Sequence, residues 1–221
     1  MGVNFLQIPL DPFELPHTRP PSRTHVRITC CNHAIKEIAE LEFREFFSLA
    51  HKAGWSENRK GDGTRGRGIG FAKYKNLACY VAVVADVEVD RGSGMVRVPR
   101  AWAAVDCGLI INPDGLANQI EGGIVQSVSW TVMEEVRFDK NGILARDWAS
   151  YPILTMPDAP KVEVELINRP NERSLGAGEG SQGPAVAAVV NAFANATGKR
   201  IRDLPLKPER VKAVLGSSGD R

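Results

Sequence analysis

Histidine and cysteine are scarce in this chain, and their positions exclude several kinds of site. All four histidines lie in the first 51 residues, and none belongs to a His-Glu-x-x-His motif or stands near the glycine-rich segment described below. The four cysteines, at positions 30, 31, 79 and 107, form no C-x-x-C pair. Structural zinc sites and iron–sulfur clusters need such spacings. We therefore expect reduced thiols and no metal ligands within this chain.

An excess of one charge and a long apolar run are also missing. The 28 lysines and arginines nearly balance the 26 aspartates and glutamates, which leaves a net charge of +2. So small a charge gives no strong field for nucleic acid or for an anionic membrane. No run approaches the ~18 apolar residues of a transmembrane helix, and no secretory signal is recognisable. We expect no membrane segment and a cytoplasmic location by default, with export together with a partner left open.

A glycine-rich segment, residues 175–184, is the most informative feature that is present. Its one acid, Glu179, stands among glycines, and Pro184 opens an apolar run to Ala196 that is typical of a helix. Glycines leave the backbone N–H groups open to a ligand. The positive end of the following helix favours an ionised carboxylate, so Glu179 is a candidate proton acceptor.

Other interpretations of the same segment stay open. It is a tight connection with an acidic cap, or part of a small dinucleotide-binding protein, because Gly178-x-Gly180-x-x-Gly183 matches the dinucleotide fingerprint and Asp203 follows at about the expected distance. The fingerprint requires its glycines directly after a strand. The last strand-like run ends at Ile167, eleven residues before Gly178. A phosphate loop is excluded because Pro184 stands where lysine is required.

Composition divides the chain into five parts. Residues 1–34 are rich in proline and predicted to be irregular, residues 35–55 form an amphipathic helix that Gly54 stops, and residues 56–68 form a solvated linker. The arginine–glycine pairs of that linker are at most a weak sign of RNA binding. Residues 69–215 form the main domain, and residues 216–221 a disordered tail.

Periodicity predicts an α+β fold of antiparallel hairpins packed with helices. Alternating residues indicate a hairpin over 78–106, with Pro99 at an edge or a bulge. Asn112 and Pro113 begin a helix that extends to about Val136, with the apolar stripe Leu116, Ile120, Ile124, Val128 and Val132. Asn141-Gly142 predicts a second hairpin, and a helix over 184–197 ends at Gly198.

Adjacent glycines interrupt the first of these helices. Gly122 and Gly123 follow Gln119-Ile120-Glu121, and each glycine in a helix interior costs about 1 kcal/mol relative to alanine. Something must approach the backbone closely there, either a neighbouring helix or a ligand. Periodicity alone favours helix packing, with Gln119 then an ordinary surface residue.

Several separated motifs together resemble a known family. They are, in chain order, Asp106-Cys107-Gly108, Asn112-Pro113, Gln119-Ile120-Glu121-Gly122-Gly123-Ile124-Val125-Gln126, Gly176-Ala177-Gly178-Glu179 and Ala196-Thr197-Gly198-Lys199-Arg200-Ile201-Arg202-Asp203-Leu204-Pro205. Over residues 40 to 213 the chain resembles the second molybdopterin-binding domain of the molybdenum subunit in the xanthine dehydrogenase and aldehyde oxidase family. Within that family it is most similar to the isoquinoline 1-oxidoreductase and aldehyde dehydrogenase large subunits.

The resemblance implies a molybdenum hydroxylase that oxidises aldehydes or N-heterocycles with oxygen from water. It implies that Glu179 is the general base, that Gln119 hydrogen-bonds the pterin and that Gly178 contacts the cofactor. The implied cofactor is molybdopterin, with the cytosine dinucleotide form as a candidate. Its electrons would pass to [2Fe–2S] clusters on a partner subunit, since this chain lacks their ligands.

The family's molybdenum subunits are much longer than this chain, which limits what the resemblance implies. The implied partners are an N-terminal molybdenum domain or upstream polypeptide and an iron–sulfur subunit, with a flavin or cytochrome subunit as a further candidate. Residues 1 to about 35 do not resemble the family. An inactive remnant or an assembly module of such an enzyme therefore remains an alternative.

Overall fold

The computed structural model of the chain describes residues 52–56, 59–74 and 78–216. Its elements in chain order are β1 (Arg65–Lys73), β2 (Tyr80–Val89), β3 (Val96–Asp106), α1 (Pro113–Val132), β4 (Phe138–Asp139), β5 (Gly142–Ile143), a short 3₁₀ helix (Met156–Asp158), β6 (Lys161–Ile167), α2 (Gln182–Thr197) and α3 (Pro208–Gly216). Four strands form one sheet in the order β1-β2-β3-β6, and β4 pairs with β5. The predicted α+β fold is confirmed, although β6 runs parallel to β3 rather than in a hairpin.

The hairpin predicted over 78–106 is confirmed as β2 and β3. One side of β2, from Val81 to Val89 at every second residue, is buried beneath the helices. A bulge in β3 falls between the residues paired with Asp86 and Glu88, which brackets Pro99 as predicted. The extra residue changes the alternation, so Val98 within the bulge and Ala101 after it face the same core.

Strand β1 corrects the prediction of a linker over 56–68. Arg65–Gly68 belong to β1, which pairs with β2 along its whole length. Gly66, Gly68 and Gly70 face α2, where a Cβ on each glycine would stand 2.2 to 2.4 Å from a backbone carbonyl oxygen of the helix. These glycines permit close packing of helix on strand, so they do not mark a flexible connection.

Arg67 of β1 points to the other side of the sheet, where its guanidinium is bound by neighbouring residues. Arg67 is buried and forms a bidentate pair with Asp86, at 2.5 and 2.7 Å, while its guanidinium lies 4.8 Å from the centre of the Trp102 ring. It also donates to the carbonyl oxygen of Ala53. Because its donors are used inside the protein, Arg67 is not a nucleic-acid contact.

Helix α1 begins as predicted but ends early. The side chain of Asn112 accepts a hydrogen bond of 3.0 Å from the backbone N–H of Gly115, and Pro113 follows in the first turn. The helix ends at Val132, so the prediction that it extends to Val136 is wrong by one turn. Its apolar stripe is buried as predicted, apart from the half-buried Leu116 at its start.

The remaining predictions need small corrections. In the second hairpin Phe138 pairs with Ile143, so Lys140 and Asn141 form the turn and Gly142, with φ +122°, begins β5. Helix α2 begins two residues before the predicted residue 184, and Gly198 ends it in the left-handed conformation, as predicted.

Helix α3 was not predicted, although Pro208 and Glu209 are typical of a helix start. Its Val211 is fully buried, and Arg210 forms an ion pair with Glu135. Of the predicted tail, Gly216 belongs to α3. The irregular segment 1–34, most of the helix 35–55 and the tail beyond Gly216 lie outside the described residues. Within the described ranges no helix is both long and apolar enough to cross a bilayer.

Candidate functional site

The glycine-rich segment connects the end of β6 to α2 and is anchored at the end of β3. The backbone N–H of Leu175 donates to the carbonyl oxygen of Cys107 at 2.9 Å, just beyond the last residue of β3. The segment therefore crosses the edge of the sheet where β3 ends and lies beside α1, which follows β3 in the chain.

An ion pair fixes the approach to this anchor. Asp106 is buried and pairs with Arg169 at 2.8 Å, and its side chain accepts a hydrogen bond of 2.9 Å from the N–H of Gly108. Gly108 has φ +72°, and a Cβ there would lie 2.1 Å from the carbonyl oxygen of Arg173. The sequence offered Asp106 and Gly108 only as part of the resemblance. Their structural role is to hold residues 169–175 against the end of β3.

Gln119 and Gly178, two residues predicted to bind a cofactor, are brought together. The side-chain amide of Gln119 donates to the carbonyl oxygen of Gly178 at 2.7 Å. Both residues are exposed. They line one open pocket of about 220 Å³ together with Cys107, Leu109, Ile110, Ile111, Asn112, Leu116, Ser174, Leu175 and Ala177. The first turn of α1 and the glycine-rich segment form its walls.

Glu179 directly follows Gly178 but is not one of the residues that line this pocket. Its side chain is exposed and accepts a hydrogen bond from the hydroxyl of Tyr74, which follows β1. The acid precedes the N-terminus of a helix, as predicted, and stands three residues before Gln182, the first residue of α2. Tyr74 is the contact that sequence reasoning missed, because the two residues are 105 positions apart.

The paired glycines of α1 have different surroundings. A Cβ at Gly123 would lie 2.3 Å from the hydroxyl oxygen of Ser181, so this glycine permits the packing of α1 against the start of α2. Gly122 is exposed, and a Cβ there would meet nothing within 4 Å. Both interpretations of the pair are therefore compatible with the structure: Gly123 serves packing, and Gly122 leaves backbone open beside Gln119.

Two buried cysteines, Cys79 and Cys107, contact the glycine-rich segment. A Cβ at Gly180 would lie 2.4 Å from the sulfur of Cys79. Cys79 and Cys107 are both unpaired and buried, as expected for reduced thiols. Burial raises the pKa of Cys79 to about 12, with smaller contributions from Cys107 and Asp106. Burial likewise raises the pKa of Cys107, so both thiols are protonated at neutral pH.

The dinucleotide interpretation lacks its structural context. The fingerprint needs a glycine turn directly between a strand and a helix, but Gly178 follows the end of β6 by eleven residues. Gly180 packs on Cys79 and is not open to a ligand. Gly183 already belongs to α2.

Comparison with known proteins identifies the family of this domain. A family model described as a molybdopterin cofactor-binding domain matches residues 21–160. The match starts at residue 21, so the prediction that residues 1 to about 35 do not resemble the family is wrong from residue 21 onward. It includes Gln119 and the whole of α1.

Individual relatives agree with the family model. The chain is 39% identical over 185 residues to a nicotinate dehydrogenase subunit of Pseudomonas putida, and the match covers 78% of this chain and 16% of that protein. It is 32% identical to the beta subunit of isoquinoline 1-oxidoreductase of Brevundimonas diminuta, over 73% of this chain and 20% of the relative. The chain thus spans about a fifth or less of the length of these relatives.

Solved structures give the same result. Quinoline 2-oxidoreductase from Pseudomonas putida 86 superposes with a TM-score of 0.59 and 31% identity, covering 62% of this chain and 18% of that one. Aldehyde oxidoreductase from Desulfovibrio gigas superposes with a TM-score of 0.55 and 28% identity, over 63% of this chain and 16% of that one. The sheet and its helices therefore have the fold of a domain within these larger chains.

Proposed function

Because this chain belongs to the molybdopterin cofactor-binding family of the xanthine dehydrogenase and aldehyde oxidase type, we propose that it forms part of a molybdenum hydroxylase. Its substrates would be aldehydes or N-heterocycles, since its relatives include an isoquinoline 1-oxidoreductase and an aldehyde oxidoreductase. In this proposal Glu179 is the general base, and Gln119 and Gly178 bind the pterin of the cofactor.

One observation carries the proposal. The hydrogen bond from Gln119 to Gly178 joins the candidate pterin ligand on α1 to the residue directly before the candidate base. These residues are 59 positions apart in sequence, yet they share one pocket wall. A single ligand in that pocket can therefore contact both the amide and the glycine-rich segment.

The residues at the pocket fit a pterin in chemical terms. A side-chain amide has two donors and an acceptor, so the bond to Gly178 leaves Gln119 with further capacity for a heterocycle edge. Gly178 of the pocket lining is exposed, and a Cβ there would meet nothing within 4 Å. The same holds for Gly122 and Gly176, which are not part of the lining. The backbone at these positions is thus open to a flat ligand. The cytosine dinucleotide form is our candidate for the cofactor.

The surroundings of Glu179 support its proposed role as the base. When bound, the molybdenum cofactor would supply two-electron redox chemistry. Glu179 accepts the proton released as oxygen from water is added to the substrate carbon. Glu179 is exposed and directly follows Gly178 of the pocket lining, and its carboxylate accepts a hydrogen bond from the hydroxyl of Tyr74. A positioned base typically contributes about 10²- to 10⁴-fold in rate.

A further polypeptide is part of this proposal. Phe138 and Ile143 are 76% and 58% exposed and stand opposite each other on one face of the hairpin β4–β5. Val136, two residues before Phe138, is also exposed. Such apolar faces typically mark protein contacts, and strands of two residues are too short to be stable alone. We assign this face to the upstream molybdenum-binding polypeptide, because the chain spans so little of its relatives.

Electron transfer would need another polypeptide. Cys79 and Cys107 are the cysteines within the described residues, and both are buried in the core between the sheet and the helices. They are therefore unsuited to hold an accessible [2Fe–2S] cluster. We propose an iron–sulfur partner subunit, with a flavin or cytochrome subunit as a candidate next acceptor.

The test compares the chain with its Glu179→Gln variant, each co-expressed with its genomic neighbours. The proposal expects molybdenum in both purified complexes and a loss of turnover by at least about 10²-fold in the variant. Equal turnover in both complexes would remove Glu179 as the base.

The same measurements separate the alternatives. A complex that holds no molybdenum contradicts the cofactor proposal. Molybdenum without turnover in either form supports the inactive remnant or assembly module. Binding of NAD in calorimetry would revive the dinucleotide interpretation.

A further inference from the structure

We propose that Tyr74 is a positioning residue for Glu179, holding its carboxylate beside Gly178 through a hydroxyl donor. This inference rests on the proposed function, since it assigns Tyr74 to the same reaction. Its evidence is geometric: the hydroxyl of Tyr74 donates to one carboxylate oxygen, Oε2, of Glu179.

Tyr74 is itself held firmly. It follows the last residue of β1, and its backbone N–H donates to the carbonyl oxygen of Cys79 at 2.9 Å. Its own carbonyl oxygen accepts from the N–H of Ala78 at 3.0 Å. The ring is half-buried and packs against the core beneath the helices. A phenol fixed at its backbone and along its ring can hold a flexible carboxylate in one place.

The glycine-rich segment rests on the same part of the sheet. Gly180 is buried against the sulfur of Cys79, and a Cβ there would also stand 3.1 Å from a methyl carbon of Val81. The opposite side of the segment is tied to α1 through the bond from Gln119 to Gly178. The backbone around Glu179 is therefore fixed on both sides, which leaves its exposed side chain as the mobile part. Tyr74 restrains that part.

This arrangement has a chemical consequence. A carboxylate has two oxygens with about four lone-pair positions. The bond from Tyr74 occupies one position on Oε2 and leaves Oε1 to accept a proton. An exposed glutamate otherwise samples several rotamers, so its orientation by a fixed donor raises the fraction of molecules that are ready to react.

A test of the contact needs no cofactor. The chain has three tyrosines, Tyr74, Tyr80 and Tyr151, so a full chain labelled with ¹³Cζ-tyrosine gives three resonances that Tyr→Phe variants assign. Glu179→Gln is expected to shift the Tyr74 resonance alone. The matched control is Glu134→Gln, because Tyr151 donates to Glu134 at 2.8 Å, and it should shift the Tyr151 resonance alone. The proposal would be overturned if Glu179→Gln leaves the Tyr74 chemical shift unchanged while Glu134→Gln shifts the Tyr151 resonance.

Turnover of the loaded complex supplies the second test. Tyr74→Phe should lower kcat about tenfold, with KM and molybdenum content within about twofold, because it removes one hydrogen bond to a charged group. It should have no further effect in a Glu179→Gln background. Tyr80→Phe, at a tyrosine that stacks on Phe71, should leave kcat within about twofold.

The outcomes separate the two proposals. An unchanged kcat in Tyr74→Phe, with turnover lost in Glu179→Gln, overturns the positioning role and keeps the base. Full turnover in Glu179→Gln overturns the proposed base, and the positioning role fails with it, whatever the resonances do.

Discussion

Gly68 of β1 lies directly against Ala188 of α2: a Cβ on the glycine would stand 2.2 Å from the carbonyl oxygen of Ala188. The contact repeats along the two elements, from Gly66 against Ala192 to Gly70 against Pro184. Two residues of a strand advance about 6.7 Å and four residues of a helix about 6.0 Å, so the two spacings nearly match. Helix α2 is thereby placed with its first turn at the end of β1, next to Tyr74 and Glu179.

Gly68→Ala is expected to lower the free energy of unfolding by about 3 kcal/mol, since the new methyl group would meet backbone that cannot rotate away. Gly176→Ala is the matched control. A Cβ at Gly176 meets nothing within 4 Å, so the change should stay within about 0.5 kcal/mol. Urea unfolding of both variants measures the difference. Equal midpoints would show that α2 does not pack as closely as described.

Local patterns made some elements predictable from the sequence. The alternation of β2 and the cap at Asn112 each depend on neighbouring residues, and both predictions are confirmed. Strand β1 was missed because glycines at alternate positions weaken the strand pattern, and their reason lies on α2, more than a hundred residues away. The parallel pairing of β6 with β3 is likewise non-local.

In the site, too, local features were predictable from the sequence and contacts between distant residues were not. Glu179 and Gln119 stand in unusual local sequence, and a resemblance to a family supplied their implied roles. No local pattern connects Tyr74 to Glu179 or Gln119 to Gly178, because folding alone brings these partners together.

Gln119→Glu should weaken cofactor retention by about tenfold while the fold is kept. The change preserves size but replaces the amide donor with a carboxylate, which cannot donate to the carbonyl oxygen of Gly178. Loss of that bond and repulsion between the two oxygens would move the pocket wall. The molybdenum content of the complex after extended dialysis measures retention. Gln126→Glu, also exposed on α1, is the control and should keep the metal. Equal loss in both variants would point to charge rather than to the bond.

Asp62 is expected to make stability depend on pH in acid. Its carboxylate accepts from the backbone N–H of Arg65 at 2.6 Å and of Thr64 at 2.9 Å, and these bonds lower its pKa from 3.8 to about 2. A lowered pKa stabilises the fold above pH 3.8, and this stabilisation is lost as the pH falls towards 2. Asp62→Asn should therefore flatten the fall in thermal midpoint between about pH 4 and about pH 2.

Thr64→Val refines this test, because it removes the hydroxyl donor to Asp62 but keeps both backbone donors. Its midpoint should fall with pH at a slope between those of the wild type and Asp62→Asn. Parallel curves for all three proteins would contradict the assignment.

The face of the hairpin β4–β5 is expected to carry binding energy and little stability. Phe138→Gln and Ile143→Gln change exposed side chains that stand opposite each other, so the thermal midpoint of the chain alone should hardly move. Affinity for the proposed upstream molybdenum-binding polypeptide should fall about tenfold for either variant, because each removes a large apolar side chain from the proposed interface. Calorimetric titration of the separately purified polypeptides measures this affinity. Leu144→Gln is the control, since Leu144 is exposed, directly follows β5 and is expected from strand alternation to face away from Ile143. If all three variants bind equally well, the upstream polypeptide docks elsewhere. If Leu144→Gln alone weakens binding, the interface uses the other face.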